Sequence, residues 1–198
     1  MRLLSLLTIL LLVGCASKQS YQTYKFDAPT KNFGLATLQV NKGLPVKYER
    51  CENGVCTQHQ RSHISALWQT IQDSGYFSEV ILNPLINKAD THIFVELNNT
   101  IEKGNEATQY SKIVVQALTL YLLPFKYNIT HEAKFHVLVN DQLIKSYDYK
   151  IEGSYWYSLF TPGRKTSSEQ AAKSFATRFL SDISKDQILD QKYTTASN

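Results

Sequence analysis

Apolar residues recur along this chain with two periods, and the alternation between them marks out the elements. Phe33 to Val40 is apolar enough for a first strand. Gly43-Leu44-Pro45 breaks it before Val46 to Arg50 leads into Cys51-Glu52-Asn53-Gly54-Val55-Cys56, where Asn-Gly signals a two-residue hairpin turn. Beyond Ser62, a predicted N-cap, Ile64, Leu67, Trp68 and Ile71 fall on one helical stripe that continues to Ser74 and stops at Gly75. Tyr76 to Leu82 alternates loosely, whereas Thr91 to Leu97 places Ile93, Val95 and Leu97 on one face of a strand. Tyr127 to Val139 alternates through Phe135, Val137 and Val139. Asn140-Asp141 reads as a turn, and Leu143 to Ile151 resumes the alternation at Tyr147, Tyr149 and Ile151, which predicts a hairpin. A last helix is predicted over Ser168 to Ile188, because Thr166 precedes Glu169 and Ser167 precedes Gln170 by the capping-box spacing. Its apolar stripe is Ala172, Phe175, Phe179 and Ile183.

Two stretches resist this reading. Lys112 to Phe125 is apolar nearly throughout, and its periodicity fits a buried strand, a core helix or a membrane-touching segment equally well, although it is too short to span a bilayer. Gly153 to Phe160 carries Tyr155, Trp156, Tyr157 and Phe160, a candidate binding cluster. Its bland alternative is a strand whose rings pack under the last helix, and period two requires at least one ring to face away.

The N-terminus follows neither period. Arg2 supplies a positive charge, Leu3 to Val13 an apolar run of signal-peptide length, and Leu12-Val13-Gly14-Cys15 ends it. This segment resembles the signal and lipobox of bacterial lipoproteins. The resemblance implies cleavage before Cys15 and acylation of that cysteine. With Ala16 and Ser17 following in place of an aspartate, it also implies an outer-membrane anchor with the domain in the periplasm. Two or three acyl chains hold a protein stably where one does not. The remaining chain divides into a signal (1–14), a lipidated tether (15–32), a single domain (33–189) and a polar tail (190–198).

In the oxidising compartment that the resemblance implies, Cys51 and Cys56 face each other across the predicted Asn53-Gly54 turn and are expected to form a disulfide. That bond would leave no thiolates to join His59 and His63 in a zinc site, and no metal is expected. His131-Glu132 and His136 miss the zinc-protease spacing and lie on a strand pattern. The chain has none of the glycine-rich phosphate or dinucleotide motifs and no nucleophile elbow, so neither cofactor nor catalytic residue is expected. A formal charge of +4, dispersed along 198 residues, argues against nucleic acid as partner.

The expected fold is α/β, with a mixed, mainly antiparallel sheet and two main helices packed on one face. The expected function is a non-catalytic, membrane-anchored lipoprotein that binds or organises cell-envelope protein partners. A lipid- or glycan-binding module is the alternative, and a hydrolase stands behind both.

Overall fold

The computed structural model describes residues 21–29, 32–41, 47–52, 55–84, 89–102, 105–119, 122–158 and 163–189. In chain order its elements are β1 (Leu35–Val40), β2 (Lys47–Glu52), β3 (Val55–Gln60), α1 (Ser62–Gln72), β4 (Glu79–Leu82), β5 (Thr91–Ile101), α2 (Glu106–Leu118), β6 (Phe125–Val139), β7 (Gln142–Tyr157) and α3 (Gly163–Asp186). Five strands form one sheet in the order β4-β1-β5-β6-β7, and β2 pairs with β3 as a separate hairpin.

The sheet is mixed. β5, β6 and β7 are antiparallel neighbours with long ladders, as the two-residue connection between β6 and β7 dictates; Asn140 and Asp141 both take positive φ, at 51° and 60°, as such turns require. β1, however, runs parallel to both β4 and β5. A strand followed by a helix returns alongside itself in the same direction, so the passage from β1 through α1 to β4 makes this half parallel.

Alternation sorts the side chains of β6 and β7. Ile129, Ala133, Phe135, Val137 and Val139 are buried, while Lys126, Asn128, Glu132 and Lys134 are exposed. Tyr147 and Tyr149 turn inward between exposed Asp148 and Lys150. The inward face is covered by α1 and α3, whose predicted stripes are the buried ones: Ile64, Leu67 and Ile71 from α1, and Ala172, Phe175, Phe179 and Ile183 from α3. At the centre, the Phe135 and Phe179 rings stack with centroids 4.3 Å apart and planes 17° from parallel. Each fully buried phenylalanine of this kind contributes roughly 1.5–3 kcal/mol by leaving water. Trp68 extends from α1 to donate its indole N–H to the Val80 carbonyl at 2.7 Å, and the Val80 N–H donates to Gln72 Oε1 at 2.6 Å, fixing α1 against β4.

Both helices begin differently from the expectation. Ser62 is the first residue inside α1; Arg61 occupies the cap without a side-chain bond, and its carbonyl accepts from Ile64 and Ser65 instead. α3 starts at Gly163, ahead of both predicted capping boxes, so Ser167 is already helical and its hydroxyl serves elsewhere. β7 also runs straight through Gly153, joining the two stretches that the sequence pattern separates.

Part of the segment expected as a tether is packed. Tyr21 to Pro29 lies along α3 as a strap: the Tyr24 N–H donates to Thr177 Oγ1 at 3.1 Å, Ser174 Oγ donates to the Gln22 carbonyl at 2.6 Å, and Tyr76 O–H donates to the Asp27 carbonyl at 3.2 Å. Arg178 lies between the rings of Tyr24 and Tyr149, 5.5 and 4.9 Å from their centroids. Polar atoms spaced along α3 supply partners for an extended backbone that has none of its own. The strap ends against Gly75, where a φ of +78° turns the chain after α1 and Pro29 closes over the position that a side chain would fill.

Candidate functional site

α2 is set up by local chemistry. Asn105 caps it, its Oδ1 accepting from the Thr108 N–H at 2.8 Å, and the Thr119 hydroxyl donates back to the Val115 carbonyl at 2.8 Å. Tyr110, Ile113, Val114, Ala117 and Leu118 follow the spacing of a single helical face. That face points outward, with Tyr110 69% and Leu118 79% exposed. The side turned to the domain is the polar one. Gln116 is buried, its Oε1 accepting from Tyr127 O–H at 3.2 Å, and the Lys112 ammonium lies 5.2 Å from the Tyr127 ring centroid. Gln116 Nε2 is buried without a hydrogen-bond partner among the described residues, a loss of about 1–3 kcal/mol. The helix is therefore amphipathic in the reverse sense to α1 and α3. Of the three readings of Lys112 to Phe125, the buried strand and the core helix are excluded.

The apolar surface extends past the helix. Leu122 and Leu123 remain exposed in the loop that leads to β6. Phe125, Lys126 and Tyr127 pair with Tyr157, Trp156 and Tyr155, which brings the aromatic run to the same end of the sheet. Tyr155 stacks on Tyr127 with centroids 5.6 Å apart, and Tyr157 meets Tyr127 edge-on at 6.4 Å. Trp156, one position out of phase, lies on the opposite face beside the polar strand surface. These rings are not among the core residues; the β7 rings that meet α3 there are Tyr147, against Phe179, and Tyr149, against Phe175. Of the ten large hydrophobic side chains that stand exposed among the described residues, nine belong to α2, its following loop and the end of β7, with Leu143 alone elsewhere. Concentration at one end distinguishes a patch from ordinary scattered surface apolarity.

A second cluster lies inside the same end. His131 is fully buried on the inward face of β6. Its Nδ1 is 2.6 Å from Asn99 Oδ1, its Nε2 is 3.1 Å from Ser167 Oγ and 3.2 Å from the Tyr21 hydroxyl, and Tyr21 and Ser167 also hydrogen-bond each other. Serine, imidazole and an orienting side chain are the connectivity of an activated hydroxyl. Here Ser167 is buried and already engaged by Tyr21, whose ring stands edge-on to His131 at 5.8 Å. A hydroxyl so enclosed offers no approach to a substrate, and the cluster serves to fasten the strap to β6 and α3. Sequence reading missed it, although a signal was present: His131 shares the parity of Ala133, Phe135 and Val137, which puts it in the core.

The outward face of β5 to β7 is polar and laddered in charge. Glu96 pairs with Lys134 and Glu132 with Lys150 by strand register, and Lys134 lies 3.6 Å from Asp148. A shallow concavity there is lined by Glu96, Asn98, Glu132, Lys134, Asp148 and Lys150.

The other expected site residues divide. Cys51 and Cys56 are direct partners in the β2–β3 backbone register; no disulfide is formed among the described residues, and the side chains of that hairpin are not among them. Cys15 and Phe160 also lie outside the described residues.

No family model and no curated protein matches the chain. Among solved structures it is similar to a protein of Xanthomonas campestris, at 12% identity over 88% of this chain and 96% of that one with a TM-score of 0.47. It is similar to a neuraminyllactose-binding hemagglutinin homolog from Helicobacter pylori, at 12% identity over 87% and 100% with a TM-score of 0.42. A minor lipoprotein from Acinetobacter baumannii overlaps 83% of this chain and 96% of its own at 13% identity, with a TM-score of 0.36. Likeness at this level assigns no activity.

Proposed function

We propose that this protein is a non-catalytic lipoprotein, anchored to the outer membrane through acylated Cys15 with its domain in the periplasm, that binds or organises envelope protein partners. The observation that carries the reading is the strap. Only five residues separate Cys15 from Tyr21, which is fastened to His131 and Ser167. A chain that short extends no further than about 20 Å, so an acylated Cys15 keeps the domain against the bilayer. Confinement of that kind raises the effective concentration of the domain toward partners in the same membrane, and a modest contact surface then suffices.

The partner surface in this reading is the outward face of β5 to β7, a regular array of charges with Trp156 at its rim as a large amphipathic anchor; Tyr155 and Tyr157 belong to the same end. The Cys51–Cys56 disulfide stiffens the β2–β3 hairpin.

Crosslinking in intact envelopes tests the reading. The full chain captures a small reproducible set of envelope proteins; Trp156→Ala reduces that set while localisation and melting temperature are kept, and Cys15→Ala, exported by a cleavable signal, loses it. An unchanged set with Cys15→Ala would remove the anchor from the function, and an empty set in the native chain would remove protein partners from it.

A further inference from the structure

We infer that the outward stripe of α2, continued by Leu122 and Leu123, is a membrane-surface helix that beds into the headgroup region of the leaflet holding the anchor. The inference rests on the acylated Cys15 of the proposed function and names a second, non-covalent contact with the same bilayer.

Three observations carry it. The first is the reversed amphipathicity: Tyr110, Ile113, Val114 and Leu118 face out while Gln116 and Lys112 face the domain. A helix with an apolar face turned away from its own core has that face covered by something else. The second is composition and length. From Ala107 to Leu123 the sequence carries one charge, Lys112, with Tyr110 at the margin of the stripe. The helix has 13 residues, about 20 Å at 1.5 Å per residue, which is short of a bilayer's roughly 30 Å hydrocarbon core. It suits a helix lying in the interface and not one crossing it.

The third selects the occupant. Tyr21 touches His131, and His131 and Tyr127 lie on one face of β6 four residues apart, about 13 Å, with Tyr127 bonded to Gln116 of α2. The six steps of chain from Cys15 to Tyr21 reach no further than about 20 Å, so an acylated Cys15 meets the bilayer at the same end of the domain as α2. At the far end of the sheet, by the Asn140-Asp141 turn, Leu143 is the one exposed large hydrophobic among the described residues. A leaflet is thus the apolar surface that the anchor itself brings to this face.

The test uses full-chain protein reconstituted in vesicles of phosphatidylethanolamine and phosphatidylglycerol, some carrying acyl-brominated lipids that quench nearby indoles. A tryptophan is introduced by Leu118→Trp, and by Asp148→Trp on the opposite sheet face as a control; the mass of the Cys15 peptide reports acylation in the same sample. The expected result is acylated protein in which Leu118→Trp adds a blue-shifted emission, quenched at least twofold by the brominated lipid, while Asp148→Trp adds an unquenched one. Combining Leu118→Trp with Ile113→Ser and Leu122→Ser is expected to remove the quenching with the anchor retained. Acylated protein whose added emission is unquenched overturns the inference and leaves the anchor standing; a blue shift without quenching assigns the face to a protein or a second copy instead. Unmodified Cys15 overturns the anchor and the inference with it.

Discussion

The hydroxyl of Tyr21 lies 3.2 Å from Nε2 of His131, a residue 110 positions later in the chain and fully buried in the sheet. Removing that hydroxyl with Tyr21→Phe leaves Ser167 and Asn99 on the imidazole, and the expected cost is about 1 kcal/mol. His131→Ala strips partners from Asn99, Ser167 and Tyr21 together and opens a cavity, so about 2–4 kcal/mol is expected. Chemical denaturation measures both. Amide exchange at Gln22 and Tyr24 is expected to quicken in each variant, as the strap loosens before the core.

The Phe135–Phe179 stack joins the sheet to α3 at the centre of the core. Phe179→Ala is expected to cost about 3–5 kcal/mol through lost transfer energy and a residual cavity. A double-mutant cycle with Phe135→Leu isolates the ring-ring part, expected at about 0.5–1.5 kcal/mol. A coupling near zero would mean that the rings fill space without any preference for each other.

Two tyrosines on β7 give the fold an alkaline limit. Burial, and then hydrogen bonds to Asp186 and Asp182 at 2.8 Å, hold the phenols of Tyr147 and Tyr149 well above the ordinary value of 10.0. Their raised ionisation means that the folded protein keeps protons the unfolded chain releases. Their contribution is present in full below pH 10 and is lost as pH rises beyond it. The urea midpoint is expected to fall above pH 10 and to fall less steeply in Tyr149→Phe.

Asp186 has the opposite sign. The Lys145 ammonium at 2.6 Å, and then the Tyr147 hydroxyl, hold its carboxyl below the ordinary 3.8. Its contribution is present above pH 3.8 and lost as pH falls. In Asp186→Asn the acid-side decline in the midpoint is expected to be shallower than in the native chain.

The β2–β3 register sets Cys51 opposite Cys56. A non-reducing peptide map of protein recovered from an oxidising compartment is expected to show the two in one linked fragment. Reduction is expected to lower the melting temperature only slightly, since the closed loop is short.

These tests rest on features that differ in how plainly the sequence announced them. The stripes of α1 and α3 and the alternation through Phe135, Val137 and Val139 were legible because burial on one side imposes a period directly. A mixed sheet was expected, but which strands run parallel was not read, since strand pairing depends on the path between strands and leaves no mark on the strands themselves. The capping boxes at Thr166 and Ser167 misled because α3 begins upstream, leaving Ser167 to hydrogen-bond His131. For α2 a stripe was available, at Tyr110, Ile113, Val114 and Leu118, but periodicity reveals that a helix has two sides and says nothing of which one meets the protein. The strap escaped because its contacts are polar backbone-to-side-chain bonds, which require no apolar pattern in Tyr21 to Pro29.

The strap also imposes an order of events on synthesis. Its residues come first in the chain, whereas Ser167, Ser174, Thr177 and Arg178, which receive it, come near the end, 146 and 153 positions later for the Tyr21–Ser167 and Tyr24–Thr177 pairs. Contacts of such separation close late, after the intervening chain has been made and α3 has formed. Until then nothing on α3 draws the start of the chain onto the domain, and under the proposed acylation the modifying enzyme would meet Cys15 before the fold is there to obstruct it. Docking of the strap is the step that ends this interval, so the bonds that fasten the segment Tyr21 to Pro29 also time when the start of the chain becomes part of a finished molecule.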